Sequence, residues 1–403
     1  MPARARVAIA VLLAALLGVA VYLLATVGIR AATSSQVSTS TSAGSVPEFV
    51  YNPPETVPTT EDYGPVGPVS MVFAGNRVET GLFGTMERPW IAVSSQNGDY
   101  RALSAPHRPA PTRGAVAVSP DGRSVAWAFR DGVVAYDPVE DTARVLRPDL
   151  RQEPTVGRFS PDGHFLIVYD GKLHVLDIRS GEVAATLAGV DAKAARQAVW
   201  TPDGSALTYV SGSRLVIHSW RSDARVTSPT TIAPGAALAW QPSGKQLAAL
   251  HEEHGVRTVD LFDVLGDGRV RPGDSVSRDG YAIQDLLGFT SDNRVAVTAM
   301  GLESGPLPIV YTMSTVDTSP PTKVMQLSGD GRWSTLELAG QPLTFGSSAF
   351  KEPNWPASDL SKLVASAIVA FFVLGLYLTR RPRAKAKKRR RLDDDSRALA
   401  GRP

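Results

Sequence analysis

"RFSPDGHFLIVYDGKLHVLDIRSGE" spans residues 158–182, and its core, Ser160-Pro161-Asp162-Gly163, returns along the chain. Ser119-Pro120-Asp121-Gly122 precedes it, Thr201-Pro202-Asp203-Gly204 follows it, and related four-residue signals start at Gln241 and Thr290. The spacings are 41, 41, 40 and 49 residues, and weaker versions begin at Ala74 ("AGNR") and Ser328 ("SGDG"). Such a segment specifies a turn. Proline presets φ at the second position, the Ser/Thr hydroxyl or Asp carboxylate bonds nearby backbone N–H groups, and glycine takes the left-handed conformation that returns the chain as a hairpin.

The flanks repeat with the turns. The residue before each signal is Phe73, Val118, Phe159, Trp200, Trp240, Phe289 or Leu327, apolar every time. Six positions after the first four strong signals begin stand Val125, Leu166, Leu207 and Leu247. Short β-rich runs follow, "GVVAYD", "KLHVLD", "RLVIHSW" and "GVRTVDLFD", each with a weaker run behind it such as "VAATLAG". No helical periodicity competes with this pattern. About four strands per 40 residues point to a β-propeller, because one such sheet cannot bury its faces alone and a ring of them can. A two-sheet sandwich would not need so regular a repeat. Seven signals suggest seven blades, with six close behind because the first and last signals are degraded.

"FSPDGHFLIVYDGKLHVLDIRSGE" resembles the repeats of TolB-type and WD40-like bacterial propellers, and "LHVLDIRSGEVAATLAG" is also similar to the YVTN repeat group. The resemblance covers roughly residues 65–345. It implies the fold and a largely extracytoplasmic setting, and it implies no catalytic residue, since the repeat residues build turns and cores.

Both ends of the chain are apolar. Val7 to Ile29 is an uncharged run long enough, at about 1.5 Å per residue, to cross the roughly 30 Å hydrocarbon layer. A cleaved signal peptide is the competing reading, with Arg4 and Arg6 as its basic start, but the run exceeds a typical signal core and "IRAATSS" is a poor cleavage site. Leu363 to Thr379 is a shorter run flanked by Lys362 and Arg380, which can snorkel outward and lengthen it. Behind it come Arg380, Arg381, Arg383, Lys385, Lys387, Lys388, Arg389, Arg390 and Arg391. After a span, such a block holds the tail in the cytoplasm and attracts anionic lipid at roughly 1 kcal/mol per basic residue.

The fold class expected is therefore all-β, a six- to seven-bladed β-propeller flanked by one N-terminal and one C-terminal transmembrane helix. Residues 1–30 form the first cytoplasmic end and span, 31–62 a Ser/Thr/Pro-rich tether and 63–345 the propeller. Residues 346–361 form a second tether, 362–379 the second span and 380–403 the basic cytoplasmic tail.

Charge and composition narrow the chemistry. The net charge is +3 over 403 residues, yet residues 31–379 carry 28 basic and 36 acidic side chains. An acidic body argues against nucleic acid as its partner. There is no cysteine, which excludes disulfides, thiolate metal sites and a cysteine nucleophile. "LHEEHGV" sets His251 and His254 three apart in a hairpin, whereas a zinc-protease helix needs its two histidines four apart. "SGDGRWS" (Ser328 to Ser334) departs from the sialidase Asp-box at Arg332 and reads as another degraded hairpin. The remaining histidines, His107, His164, His174 and His218, show no ligand spacing.

The expectation is a non-enzymatic protein-binding or scaffolding module of the bacterial cell envelope, with no catalytic, cofactor-binding or metal-ligating residue and no cofactor. Its expected partners are envelope or membrane proteins and, through the tail, anionic lipid. Two alternatives stay open: a propeller enzyme or small-ligand or glycan binder using channel-mouth loops, and a membrane sensor signalling through the basic tail.

Overall fold

The computed structural model describes residues 46–51, 56–74, 78–80, 86–87, 89–105, 108–109, 115–129, 132–146, 150, 154–276, 280–301, 309–316, 319–327, 335–340, 342–345 and Phe372. All but Phe372 fall in one compact unit covering 36–355. Among the described residues no helix is long and apolar enough to cross a membrane. Both apolar end segments lie outside the described residues, Phe372 excepted, as do the basic tail, His107 and the stretch from Ser328 to Ser334.

Among the described residues six sheets are arranged as blades, each counted here from the central channel outward, beside two small sheets of three and two strands. Blade 2 comprises Val116–Val118, Val125–Phe129, Gly132–Asp137 and Thr142–Leu146, and blade 3 comprises Thr155–Phe159, Phe165–Tyr169, Leu173–Asp177 and Val183–Leu187. Blade 4 comprises Val199–Trp200, Ala206–Ser211, Arg214–Ser219 and Arg225–Thr231, and blade 5 Ala237–Trp240, Gln246–Glu253, Val256–Val264 and Val270–Val276. Blade 6 comprises Tyr281–Phe289, Val295–Gly301, Ile309–Met313 and Thr322–Leu327. Within these blades the strands pair antiparallel in sequence order.

Blade 1 is assembled from both ends of the domain. Its inner strand, Thr335–Leu338, pairs antiparallel with Val69–Ala74, which is followed outward by Trp90–Ser94 and Tyr100–Ala102. The register sets Met71 against Leu338 and Ala74 against Thr335. Closing the ring in this way removes the free edges an open stack of sheets would leave.

The blade count is six, and the seventh signal has a topological explanation. Blade 1 has no hairpin between its two innermost strands, because they come from opposite ends of the domain. Ala74 ends the second strand of that blade, and Ser328 follows the outermost strand of blade 6, so neither marks an inner hairpin. The long interval from Gln241 to Thr290 is filled by longer strands. Gln246–Glu253 and Val256–Val264 run 8 and 9 residues, against 5 for their counterparts in blade 3.

Packing accounts for the near-continuous apolar character of the strands. A strand in a propeller is covered on both faces, so consecutive residues serve different interfaces. Val116, Val118, Val125 and Trp127 pack toward blade 1, while Ala117 and Ala126 pack toward blade 3. Among the described residues there are six buried apolar clusters, one for each neighbouring pair of blades, including the pair of blades 6 and 1.

That last interface also holds a segment the sequence places in a tether. Val46 bridges Phe345, and Phe49–Val50 pairs in parallel with Gln326–Leu327 on the outer edge of blade 6. Val46, Val50 and Val57 are buried with Met71, Phe73, Met325 and Leu327. Further on, the Pro58 carbonyl accepts the Ala102 N–H at 2.8 Å, and the Arg101 guanidinium lies over the Tyr63 ring. The Gly67 N–H reaches the Pro138 carbonyl of blade 2 at 3.0 Å. Few apolar residues remain in this Pro- and Thr-rich stretch, but the valines suffice to staple it across blades 6, 1 and 2.

Closure is tightest where the blade 2 turn meets blade 1. Gly122 has φ +68°, and its carbonyl accepts the Val69 N–H at 2.9 Å. A Cβ on Gly122 would sit 2.1 Å from the Val69 carbonyl oxygen. At Gly163, with φ +72°, a Cβ would come no nearer than 3.6 Å to Ser119. Gly163→Ala therefore carries the left-handed penalty alone, about 1 kcal/mol, while Gly122→Ala adds a backbone clash and is expected to cost about 3 kcal/mol. Denaturant midpoints of the two full-length variants test the difference; equal losses would refute the close approach.

Candidate functional site

All five inner hairpin turns lie on one face of the ring and share one backbone bond, and four share the same side-chain bonds, Ser243 donating to Gln241 Oε1 in blade 5 instead. In blade 3 the Gly163 N–H donates to the Ser160 carbonyl at 2.8 Å, and the Ser160 hydroxyl donates to Asp162 Oδ1 at 2.5 Å. Ser160 Oγ accepts the Phe165 N–H at 2.9 Å, and Asp162 Oδ1 accepts the His164 N–H at 3.0 Å. Ser119, Asp121 and Ser124 repeat the set in blade 2, and Thr201, Asp203 and Ala206 repeat it in blade 4. In blade 6 Thr290 donates to Asp292, and Asn293 replaces glycine at φ 64°. The turns also touch each other. A Cβ on Gly204 would meet Pro161 Cδ at 3.5 Å, and one on Gly244 would meet Pro202 Cγ at 4.0 Å. Pro120, Pro161 and Pro202 thus each lie beside the glycine of the next turn, and the turns surround the channel mouth.

Inside that mouth is a cavity of about 30 Å³, walled by Val118, Phe159, Val199, Trp200 and Leu338 and rimmed by Pro120, Pro161 and Gly340. Two charged residues line it, Arg158 from blade 3 and Glu337 from blade 1. A β-bulge turns Arg158 inward. Val156 and Phe159 bury into the same interface although they stand three apart, and the register slips between them. Bulges re-aim side chains in this way, and glycine at the bulge relieves crowding. A Cβ on Gly157 would already sit 3.0 Å from Ile167. The Arg158 carbonyl accepts the Trp200 indole N–H at 3.0 Å, which fixes the bulge against blade 4. Glu337 is half-buried, on the inner strand that closes the ring. Burial pushes its carboxyl above the ordinary glutamate range, and the Arg158 guanidinium opposes that rise.

The histidines singled out in the sequence are distributed rather than gathered. His251 lies in a strand, its Nδ1 3.3 Å from Asp260 Oδ2, while His254 sits at the hairpin tip with φ 53° and its Nδ1 3.7 Å from Glu253. His164 accepts from Arg179 on the surface. Among the described residues no group of three or more His, Asp or Glu could hold a metal ion.

His174 stands between Thr186 Oγ1 at 2.9 Å and Asp170 Oδ1 at 2.7 Å. The order is that of a nucleophile, base and acid, but Thr186 is the register partner of His174 on the neighbouring strand. The trio is a cross-strand staple that pins the outer edge of blade 3. His218 is fully buried and holds Tyr209 Oη at 3.1 Å and Asp223 Oδ1 at 2.5 Å, with the Arg225 guanidinium beside it. The same geometry recurs in blade 2, where Tyr136 donates to Asp141 at 2.8 Å. Asp141 and Asp223 both adopt positive φ in the outer turn, where blades 3 and 5 use Gly181 and Gly268. The buried donor offsets the cost of aspartate at a glycine position.

Comparison with known proteins shows no close kinship. No family model matches the chain, and no curated protein does. Similar solved structures include Kuenenia stuttgartiensis hydrazine synthase, at 19% identity and TM-score 0.41 over 52% of this chain and 65% of that one. TolB from Acinetobacter baumannii shows 19% identity and TM-score 0.40 over 62% of this chain and 63% of that one. The Myceliophteria thermophila Cps50 (Swd1) β-propeller domain shows 15% identity and TM-score 0.43 over 60% of this chain and 80% of that one. The matches to the first two span 65% and 63% of their lengths. The fold is a six-bladed β-propeller. It rests on the strand order and the closed ring of interfaces described above. The nine basic tail residues read as lipid contacts, Arg380 to Arg391, lie outside the described residues.

The site groups set the acid limit of the fold. Burial lowers the pKa of His218, against the opposing hydrogen bond to Asp223. A depressed histidine favours the neutral form in the fold, so stability is whole above about pH 6.5 and declines as pH falls toward the lowered folded value. Burial would raise Asp162 and Asp203, but hydrogen bonds from Ser160 and Thr201 and from the turn N–H groups prevail and lower both. Their contribution is present above about pH 3.9 and is lost as pH falls through the folded values. Unfolding free energy measured against pH is expected to show both declines, and His218→Gln to remove the first; a profile unchanged by that variant would contradict the assignment.

Proposed function

We propose that this chain is a protein-binding scaffold of a bacterial cell envelope, its propeller displayed outside the membrane and its two apolar ends anchoring it. The observation that carries the scaffold reading is the turn face. It combines a rigid rim of mutually seated turns with a channel mouth lined by two charged residues, Arg158 and Glu337. A preorganised rim spends little ordering entropy on binding, which suits protein contact.

Chain entry and exit support a membrane-facing partner. Val46 donates its N–H to the Thr344 carbonyl and bridges Phe345, while Leu343 bridges Thr290 of the blade 6 turn. The strands therefore join and leave the ring side by side on the turn face. In this reading the partners are themselves envelope or membrane proteins. The basic residues after Thr379 keep the tail inside and bind anionic lipid in the same reading.

The cysteine-free chain allows a direct test of orientation. Ser205→Cys, on the exposed turn face, is expected to react with a membrane-impermeant maleimide on intact cells, and Ser396→Cys only after lysis. The reverse pattern overturns the topology. A photo-crosslinker at Arg123 or Ser205 is expected to capture one stoichiometric membrane protein, while a crosslinker at Val256, on the opposite face, captures none. Equal capture from both faces overturns the docking face.

A further inference from the structure

We infer that the channel mouth is a carboxylate-binding pocket that receives an acidic side chain or the C-terminus of a protein partner, gripped by Arg158 beside Glu337. The inference deepens the scaffold reading and rests on it.

The first argument is a guanidinium whose hydrogen-bonding fork is open. An arginine stays protonated at any physiological pH, and its planar fork of N–H donors matches a carboxylate. The bulge at Gly157 carries Arg158 into the cavity, where the walls from blades 2 and 4 are Val118, Val199 and Trp200. Among the described residues no acceptor hydrogen-bonds its guanidinium, and Glu337 acts on it through charge alone, without a hydrogen bond. Asp121, Asp162 and Asp203 accept bonds from their own turns, and His164 is engaged by Arg179.

Size decides the kind of ligand. A volume of about 30 Å³ holds roughly two waters or one carboxylate group, far below the several hundred Å³ that enclose a metabolite. Whatever enters is the tip of something larger whose remaining surface rests on the rim at Pro120, Pro161 and Gly340. A planar carboxylate matches the guanidinium fork with two parallel N–H donors. Glu337 in its protonated form adds an O–H donor to the same ligand, and in its ionised form repels it. Its burial-raised affinity for the proton favours the donor form.

The test uses the full chain in detergent and saturation-transfer NMR. The probes are acetyl-Ala-Leu-Glu-amide, acetyl-Ala-Leu-Gln-amide and acetate. The glutamate peptide is expected to bind, the glutamine peptide to bind at least about tenfold more weakly, and acetate more weakly still. Arg158→Met should weaken the glutamate peptide at least about tenfold while leaving the far-ultraviolet circular dichroism unchanged. Binding should weaken as pH rises through the raised Glu337 value, and Glu337→Gln should retain binding and abolish that fall. Equal binding of the two peptides, no binding of either, or indifference to Arg158→Met overturns the pocket. Acetate binding as tight as the peptide assigns a free carboxylate and overturns the partner. Capture of the same membrane protein by the Ser205 crosslinker in an Arg158→Met background would leave the scaffold standing and remove the carboxylate.

Discussion

Everything in this protein depends on a four-residue ladder, Thr335–Leu338 against Val69–Ala74, that joins the two ends of the domain. Each four-stranded blade is apolar on both faces and cannot be stable alone. Stacking the blades in a line would leave two such faces bare. Closing the line into a ring buries the last pair, and the resulting cluster of Met71, Phe73, Val310, Met325 and Leu327 is as fully enclosed as any of the other five. The valines of the N-terminal segment complete that cluster, so the entry strap and the ring closure are one packing unit.

The repeated turn has two tasks, and only one is local. Its hydroxyl, carboxylate and glycine build a hairpin within a blade. Its proline then provides the seat for the next glycine, which spaces the blades and shapes the rim of the channel. A rim made this way is stiff, and stiffness is what lets a bulge at Gly157–Arg158 hold a charged side chain in place within an apolar mouth. The functional candidate is thus a small departure inside a regular frame: one irregular inner strand and one glutamate on the strand that closes the ring.

The regular frame was legible in the sequence because it is written in turn chemistry. Ser119, Ser160, Thr201, Gln241 and Thr290 each open an inner hairpin, and the apolar residue before each ends an inner strand. The blade number was less legible, since the signals starting at Ala74 and Ser328 come at or just after the ends of other strands, and a ring closed by its own termini has one hairpin fewer than it has blades. The strap from Val46 read as tether because its composition is polar; what orders it is three valines meeting a groove that exists only after closure. The candidate site was hidden for a different reason. Arg158 and Glu337 are far apart in sequence and each sits alone in an apolar run. A glycine inside the strand "TVGRF" was the available signal, since glycine in a strand marks a bulge or a close approach. The histidines drew attention by type, yet register makes His174 and His218 into staples of single blades.

The central claim is that the chain closes as a ring through Ala74 and Thr335. In a chain without cysteine, the double variant Ala74→Cys with Thr335→Cys places two thiols on directly opposed residues of adjacent strands, within reach of a disulfide. Mild oxidation followed by proteolysis and mass spectrometry is the direct measurement. A quantitative intramolecular cross-link that also raises the denaturant midpoint is expected; free thiols after oxidation, or only intermolecular cross-links, would contradict the closed six-bladed ring.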